Sequence, residues 1–376
     1  MLQSQANQSK VHLDTDPKLL LVCDCGGSTT RCLVYDTTGH LVASGTAGES
    51  NATDVGLDEA AQVVRDVVAA LVIPTRTFAY AWCGVAGADD EATCRHFHSK
   101  LLSLMPDLVQ RPQDLLVTND CDLLAAAIIE QGAKAGVVLI AGTGSNAMAF
   151  APAPSDSTSL FPLVAAGRIG GWGHVLGDEG SAYWMGRELL RHVLANDFDL
   201  VPTVVDAPRE VDDSCNGGNE DSTVSKPGPN LVQAVLKHFA VEKVDDLLPA
   251  VHAGPSETRK GRIASLASLV TSHAFSDVSP LLAGDACAWR IANDAALFHA
   301  RCAVALSDRA LSSHKVEDTV IVLGGGCWSD ARLRKRFEHW FATDHRIVYV
   351  EDVGRTAGAA LIKLYNAHCT AVDSKT

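Results

Sequence analysis

Basic charge is what this sequence has least of. Its 376 residues carry 31 Lys plus Arg against 45 Asp plus Glu, a formal net charge of −14. Phosphate backbones and anionic lipids are held by clustered Lys and Arg, so neither a nucleic-acid partner nor membrane docking is favoured. Long apolar runs are missing too. The strong ones, LLLV (19–22) and VVLIA (137–141), are short, and spanning a bilayer takes ~20 residues. The opening MLQSQANQSK has no apolar core that could serve as a secretion signal. No CxxC pair occurs among the 11 cysteines, most of which sit beside apolar residues, as in LVCDC, AWCG and GGGCW. A disulfide framework or zinc ribbon is disfavoured; reduced core thiols in a cytoplasmic protein are expected. Cys23 and Cys25, two apart on an expected strand, read as small strand residues before they read as a metal or redox pair. GxxxxGK[ST] is absent, which rules out a P-loop, and no GxGxxG opens a βαβ helix, which disfavours a Rossmann site.

Hydrophobic residues make up 47% and charged residues 20%, which suits a folded soluble chain. One core stops growing at ~250–300 residues, so two domains are the default. Residues 18–47 read as strand, turn, strand, turn, strand. A helix is expected over 58–72 with Asp58 as its cap, a buried strand over 78–86, a helix over 90–104, and a strand over 115–120 leading into another helix. The segment 135–152 then repeats the strand, Gly turn, strand pattern. Gly26–Gly27 and Gly142–Gly144 fall at equivalent places, which points to a duplicated β-hairpin opening each half. Helices over 178–196, 230–248, 257–275 and 285–313 follow. Strand TVIVLGGGC (319–327), strand RIVYVED and helix TAGAALIKLYNA close the chain. The polar segment 206–229 is expected to be a surface insertion or mobile loop, with residues 1–17 and the final VDSKT as loose ends.

Three Gly-rich turns each follow an apolar strand: DCGGSTT (24–30), AGTGSN (141–146) and LGGGC (323–327). One such turn need only supply positive φ; three with hydroxyl or small residues attached suit a polyphosphate bound by backbone amides. These turns hold no lysine, so neutralising ATP falls to a divalent cation, Mg²⁺, which is content with waters and one carboxylate. Asp24 is placed for a water-mediated contact to that ion, or for capping its turn through the Gly26 or Gly27 amide. Asp120, ending the strand LLVTND, can project into a cleft and accept a hydroxyl proton; Asn119, Asp120 or Asp122 can equally cap the next helix. The stretch GRIGGWGHVLGDEGSAYW (167–184) holds six glycines, two tryptophans, a His, an Asp and a Glu. So many glycines weaken a purely structural role. Trp172 offers an apolar face, and Asp178 and Glu179 offer acceptors, as a sugar requires. His174 reads as a hydrogen-bonded loop histidine, since no second ligand lies at metal spacing.

In order and spacing, DCGGSTTR, TND, AGTGSN, GGWGHVLGDEGSAYW and LGGGCW resemble the N-acetylglucosamine kinases of the BadF/BadG-type ATPase group, within the actin-like ATPase and sugar kinase superfamily. The resemblance covers most of residues 18–366 and spares the insertion. It implies an α/β fold of two ribonuclease-H-like domains with a hinged cleft: 18–134 plus a C-terminal helix over 355–376 on the sugar side, and 135–354 on the nucleotide side. It further implies ATP as co-substrate with Mg²⁺, and phosphorylation of the 6-hydroxyl of N-acetylglucosamine. By position, Gly26, Gly27, Ser28 and Thr29 match the first phosphate turn, Thr143 and Gly144 the second, and Ala264 and Gly325 lie near the nucleoside. Asp120 matches the catalytic base. Asn51, Ser145, Asn146, Gly171, Trp172, Gly173 and Asp178 match the sugar-side residues. The chain departs from the pattern where Cys25 replaces a glycine, Thr29 a basic residue, and Thr53 an aromatic two positions after the matched Asn.

Three other functions stay open: the same chemistry on glucosamine or another amino sugar, a nucleotide-driven activator of a partner enzyme, and a sugar-sensing regulator that has lost catalysis, against which the intact Asp120 speaks. Activators of that group share an iron–sulfur cluster across a dimer, and the scattered cysteines here do not favour it. A homodimer remains open. No basic extension or DNA-reading helix pair supports a transcription role.

Overall fold

Strands form where the chain is apolar on every position, because such a run is content only when both its faces are covered. In the computed structural model, which describes residues 18–26, 29–154, 160–195, 226–275, 284–341 and 345–373, two such runs seed two sheets. β1 (Leu19–Cys25) and β6 (Ala135–Ala141) are each buried along almost their whole length. The chain divides into two compact units, the first 1–132, 154–162 and 352–376, the second 133–153 and 163–351.

In the first unit, β1 pairs antiparallel with β2 (Thr30–Asp36), and β2 with β3 (Leu41–Ala47). On its other side β1 pairs parallel with β4 (Tyr80–Val85), and β4 with β5 (Leu115–Asn119). The sheet order is β3-β2-β1-β4-β5. One face carries Cys23, Cys25, Cys32 and Cys83, packed with α2 (Leu57–Ala70) and α3 (Glu91–Leu104) after the short α1 (Ala52–Val55). Cys32 donates to Cys23 Sγ at 3.0 Å, and both thiols are fully buried. The opposite face is covered by α4 (Asp120–Glu130) and the chain's last helix, α13 (Val353–Asp373). Gly84 leaves room there for Leu123 of α4, and Gly358 for the Tyr35 ring.

The second unit repeats the plan. β6 pairs antiparallel with β7 (Ser145–Pro152), and β7 with β8 (Leu163–Gly170); β6 pairs parallel with β9 (Thr319–Gly324), and β9 with β10 (Ile347–Tyr349). The order β10-β9-β6-β7-β8 is the first sheet's order read from the other edge. Helices α5 (Gly173–Leu176), α6 (Ala182–Leu194), α7 (Pro229–His238), α8 (Leu247–His252), α9 (Ser256–Ala264), α10 (Ala267–Ala274), α11 (Ala286–Ala310) and α12 (Ala331–Glu338) complete it. Their apolar faces form one core around Trp184, Leu189, Ile291 and Trp328. Fully burying one such side chain contributes roughly 1.5–3 kcal/mol. The α/β class with two mixed sheets and the duplicated hairpin are therefore both present.

Several details differ from the sequence-based expectations. The α2 N-cap is Gly56, with no side-chain cap; Asp58 sits in the first turn and pairs instead with Lys100 at 3.1 Å. The expected helices 230–248 and 257–275 are each broken. Ala240, at φ 55°, ends the first of them, and α9 stops at Ala264, where Leu266 donates to the Ile263 carbonyl in a tighter turn. β8 departs from those expectations, because LVAAGRIG has no alternation of large apolar groups and half of its residues are exposed. Of the terminal VDSKT, Val372 and Asp373 continue α13. Residue 229 opens α7, while residues 1–17 and 206–225 lie outside the described residues. No helix among the described residues is long and apolar enough to cross a membrane.

Candidate functional site

β1 and β5 lie on either side of β4, and parallel strands end on one side of a sheet. That places Asp24, near the β1 terminus, and Asp120, just past β5, at the same sheet end. Asn119 is the N-cap of α4, its Oδ1 accepting the Cys121 amide at 2.9 Å, while its Nδ2 donates to Asp89 at 2.9 Å. Asn119 is thus the cap, and the Asp120 carboxylate accepts from the Cys121 thiol at 3.8 Å. Burial holds the Asp120 carboxyl above the usual carboxylate range, and the Asp89 charge adds to this against the Cys121 amide. Asp24 is pushed up to about 6, first by burial and then by Asp120; Arg31, opposite it on β2, works the other way. Asp122 is pushed up to about 7 by burial and by Asp120. These acids crowd one end of the sheet, where Asp120 destabilises the charge of both Asp24 and Asp122.

Asp24 does not cap the Gly26 amide, which donates instead to the Thr29 carbonyl at 3.1 Å. Gly27 and Ser28 lie outside the described residues. Asn51 caps α1 through Oδ1 to the Thr53 amide at 2.9 Å. It packs on Gly87, whose φ of 82° and lack of Cβ are both required: a Cβ there would stand 2.6 Å from Asn51 Oδ1. The first unit therefore gathers Asn51, the 87–89 loop, Asn119 and Asp120.

The second unit uses its sheet end differently. The β6–β7 turn is closed by the Gly142 amide on the Gly144 carbonyl at 2.9 Å, and the Ala182 amide at the start of α6 donates to the Gly142 carbonyl at 2.9 Å. Asp178, 4% exposed and at φ 66°, turns back under this loop and accepts the Ser145 amide at 3.2 Å. A non-glycine residue held there costs of order 1–3 kcal/mol, a strain found where geometry matters. Ser145 Oγ donates to the Glu179 carbonyl at 2.7 Å. Asn146 Oδ1 and the Arg168 guanidinium both crowd Gly171, and Arg168 donates to the Gly171 carbonyl at 2.8 Å. Trp172 follows, 68% exposed, and Gly173 opens α5 at φ 77°. His174 packs edge-on against Tyr183.

Beside the β6–β7 turn lies a cavity of about 730 Å³. Thr143 and Ala264 line it; Gly325 does not, but its neighbours Gly326 and Cys327 do. Gly325 needs its φ of 97°, because a Cβ there would stand 2.6 Å from the Ala141 carbonyl oxygen. Met185, Ser265, Ser268, Thr271 and Asp330 also line the cavity and were not singled out from the sequence. Ser265, Ser268 and Thr271 recur every three residues around the α9–α10 break, the one signal that could have marked a polar wall. Among the described residues no cluster of three metal-ligating side chains occurs.

The BadF/BadG/BcrA/BcrD ATPase family model matches residues 23–359. This chain belongs to that family. The N-acetyl-D-glucosamine kinase of Dictyostelium discoideum is 30% identical over 190 residues, covering 47% of this chain and 54% of the relative. The N-acetylmuramic acid/N-acetylglucosamine kinase of Clostridium acetobutylicum is 25% identical over 189 residues, covering 48% and 55%. The chain spans about half the length of these curated relatives. Among solved structures, a candidate N-acetylglucosamine kinase from Chromobacterium violaceum superposes with a TM-score of 0.57 at 21% identity, over 92% of this chain and 99% of that one. Another from Porphyromonas gingivalis gives 0.58 at 14% identity, over 93% and 99%. At those identities the likeness is one of fold, and it extends over both units of this family member.

Proposed function

We propose that this ATPase-family chain transfers the γ-phosphoryl of ATP to the 6-hydroxyl of N-acetylglucosamine. The observation that carries the reading is Asp120: a carboxylate just past the end of β5, beside the Asn119 cap and held above its usual pKa by burial. A base so placed can take the proton of an alcohol as its oxygen attacks phosphorus, and raising its pKa toward the working pH strengthens it as a base. The names of the two curated relatives support the substrate class.

The reading assigns the sugar's reacting end to Asp120 and Asn51 of the first unit. Trp172 supplies an apolar face for the ring. Gly171, Gly173, Ser145, Asn146 and Asp178 shape the acetamido side. The 730 Å³ cavity takes the nucleoside, with Ala264 on its wall and Gly325 behind it. Gly26, Thr29, Thr143 and Gly144, together with Gly27 and Ser28, would meet the phosphates. Asp24 fits Mg²⁺. Its half-buried carboxyl is strained by Asp120 and Asp352, and Mg²⁺ keeps most of its waters and asks for one or two carboxylates. When bound, the ion neutralises phosphate charge. Asp24 would hold its water shell, and Asp120 would orient and deprotonate the acceptor.

The test is product analysis after incubation with Mg-ATP and N-acetylglucosamine, N-acetylmuramic acid, glucosamine or glucose in turn. N-acetylglucosamine 6-phosphate is expected. Faster phosphorylation of glucosamine would move the assignment to a free amino sugar, and ATP hydrolysis with no sugar phosphate would overturn it.

A further inference from the structure

His299 has no part in the chemistry above, yet it is among the most enclosed titratable groups described in the second unit. It stands on α11 with 1% of its surface exposed. Its Nε2 faces the Gly180 carbonyl at 3.4 Å, and a Cβ added to Gly180 would come within 2.8 Å of that nitrogen. Burial keeps the ring neutral, with its pKa pushed down to about 4. A neutral imidazole that donates from Nε2 presents an acceptor at Nδ1. That Nδ1 is buried with no hydrogen-bond partner among the described residues. So is the indole Nε1 of Trp328, which can only donate. The two rings meet edge to face, 5.1 Å apart.

These neighbours belong to two different walls. Gly180 lies between Asp178, which holds the Ser145 amide, and Ser181, whose Oγ caps α6 at the Trp184 amide, 3.1 Å away. Trp328 sits in the 326–329 turn, where Gly326, Cys327 and Ser329 line the cavity. We propose that His299 is a positioning residue, in its Nε2–H tautomer, that joins the 178–181 turn on the sugar side to the 326–329 turn of the nucleotide cavity. The Trp328 ring packs edge to face on the imidazole, and Nε2–H faces the Gly180 carbonyl. Neither turn can then shift without straining the other. The consequence for substrate use rests on the kinase reading above; the tautomer and its neighbours do not.

The experiment compares wild type with His299→Phe, which keeps a ring and loses both nitrogens, and His299→Gln, which keeps a donor for Gly180. His299→Phe should raise KM for both ATP and the amino sugar, each by roughly 3- to 30-fold. His299→Gln should recover part of that loss. Histidine ¹⁵N NMR of the wild type should show protonated Nε2 and bare Nδ1, with the signal moving when Mg-ADP is added. KM values within twofold of wild type in both variants, a fall in Tm with unchanged KM values, an Nδ1–H tautomer, or a signal indifferent to nucleotide would each overturn the proposal. Should the wild type phosphorylate no amino sugar, the kinase reading falls, and the NMR result alone decides this inference. Should His299→Phe fail to fold, the NMR result and His299→Gln decide it.

Discussion

The two sheets have one topology and opposite chemistry at their ends. In the first, the residue opposite Arg31 is Asp24; in the second, the residue opposite Asn146 is Ile140. Past β5 the first unit continues into Asp120, whereas β10 of the second ends at Tyr349. The acid of the second unit, Asp178, does not project from a strand end; it is folded under the β6–β7 turn and spent on the Ser145 amide. A duplicated frame thus offers the same positions twice. One copy has carboxylates there, Asp24 and Asp120; the other has Ile140 and a strand that ends at Tyr349.

Substitutions that exchange or remove these features test the contrast. The largest effect is expected from Asp120→Asn, which should lower kcat by about 10²–10⁴-fold, the usual share of a general base. Its Tm should hold or rise; a coupled assay for ADP checks the first and calorimetry the second, and near-normal turnover would remove the base assignment. Next come the glycines that follow the corresponding strands, Gly87 after β4 and Gly325 after β9. Either one changed to Ala places a Cβ 2.6 Å from an oxygen at positive φ, so each should cost about 1–3 kcal/mol in urea unfolding. Gly87→Ala should raise KM for the sugar and Gly325→Ala KM for ATP. A crossover of those effects would break the proposed assignment of Gly87 to the sugar and Gly325 to the nucleotide.

Asn119→Ala should cost about 1 kcal/mol through the lost cap, and it should also slow turnover, because the Cys121 amide then acts on Asp120 alone and lowers its pKa further. The smallest effect concerns pH. An acid whose folded pKa lies above its unfolded value of about 4 binds its proton more tightly when folded, so it adds stability as pH falls from above that folded pKa toward 4. Asp24 and Asp122, at about 6 and 7, behave so in the first unit, and Asp294, at about 6, in the second. His299 acts in the reverse sense: the unfolded imidazole protonates first, and stability is lost as pH falls from about 6.5 toward 4. Asp122→Asn should therefore raise Tm by about 2–4 °C at pH 8 and by little at pH 5. An equal gain at both pH values would show that the Asp122 charge carries no penalty.

Much of the frame is legible in the amino-acid order. LLLVCDC and AGVVLIA announce buried strands, and the Gly turns after them announce the hairpin repeat, because apolar runs and positive φ are local properties. The family resemblance, carried by GGWGHVLGDEGSAYW, is legible for the same reason: many glycines in one short stretch cannot be filler. The α9–α10 break is less so, since periodicity runs through it unchanged. Who caps α4 is not legible at all. Asn119, Asp120 and Asp122 are equivalent capping side chains by residue type, and only the backbone at Asn119, φ −66° and ψ 156°, chooses among them.

The sequence by itself determined the two apolar frames, the Gly-rich turns and the kinship they carry, since each is a pattern of neighbours along the chain. The tertiary structure decided the rest. It put the α4 cap on Asn119 rather than Asp120 and made Asp178 a prop. It also gathered Met185, Ser268 and Asp330 around one cavity and set His299 against Gly180 and Trp328. Those outcomes depend on burial and on contacts between residues distant in the chain, and no local pattern encodes them.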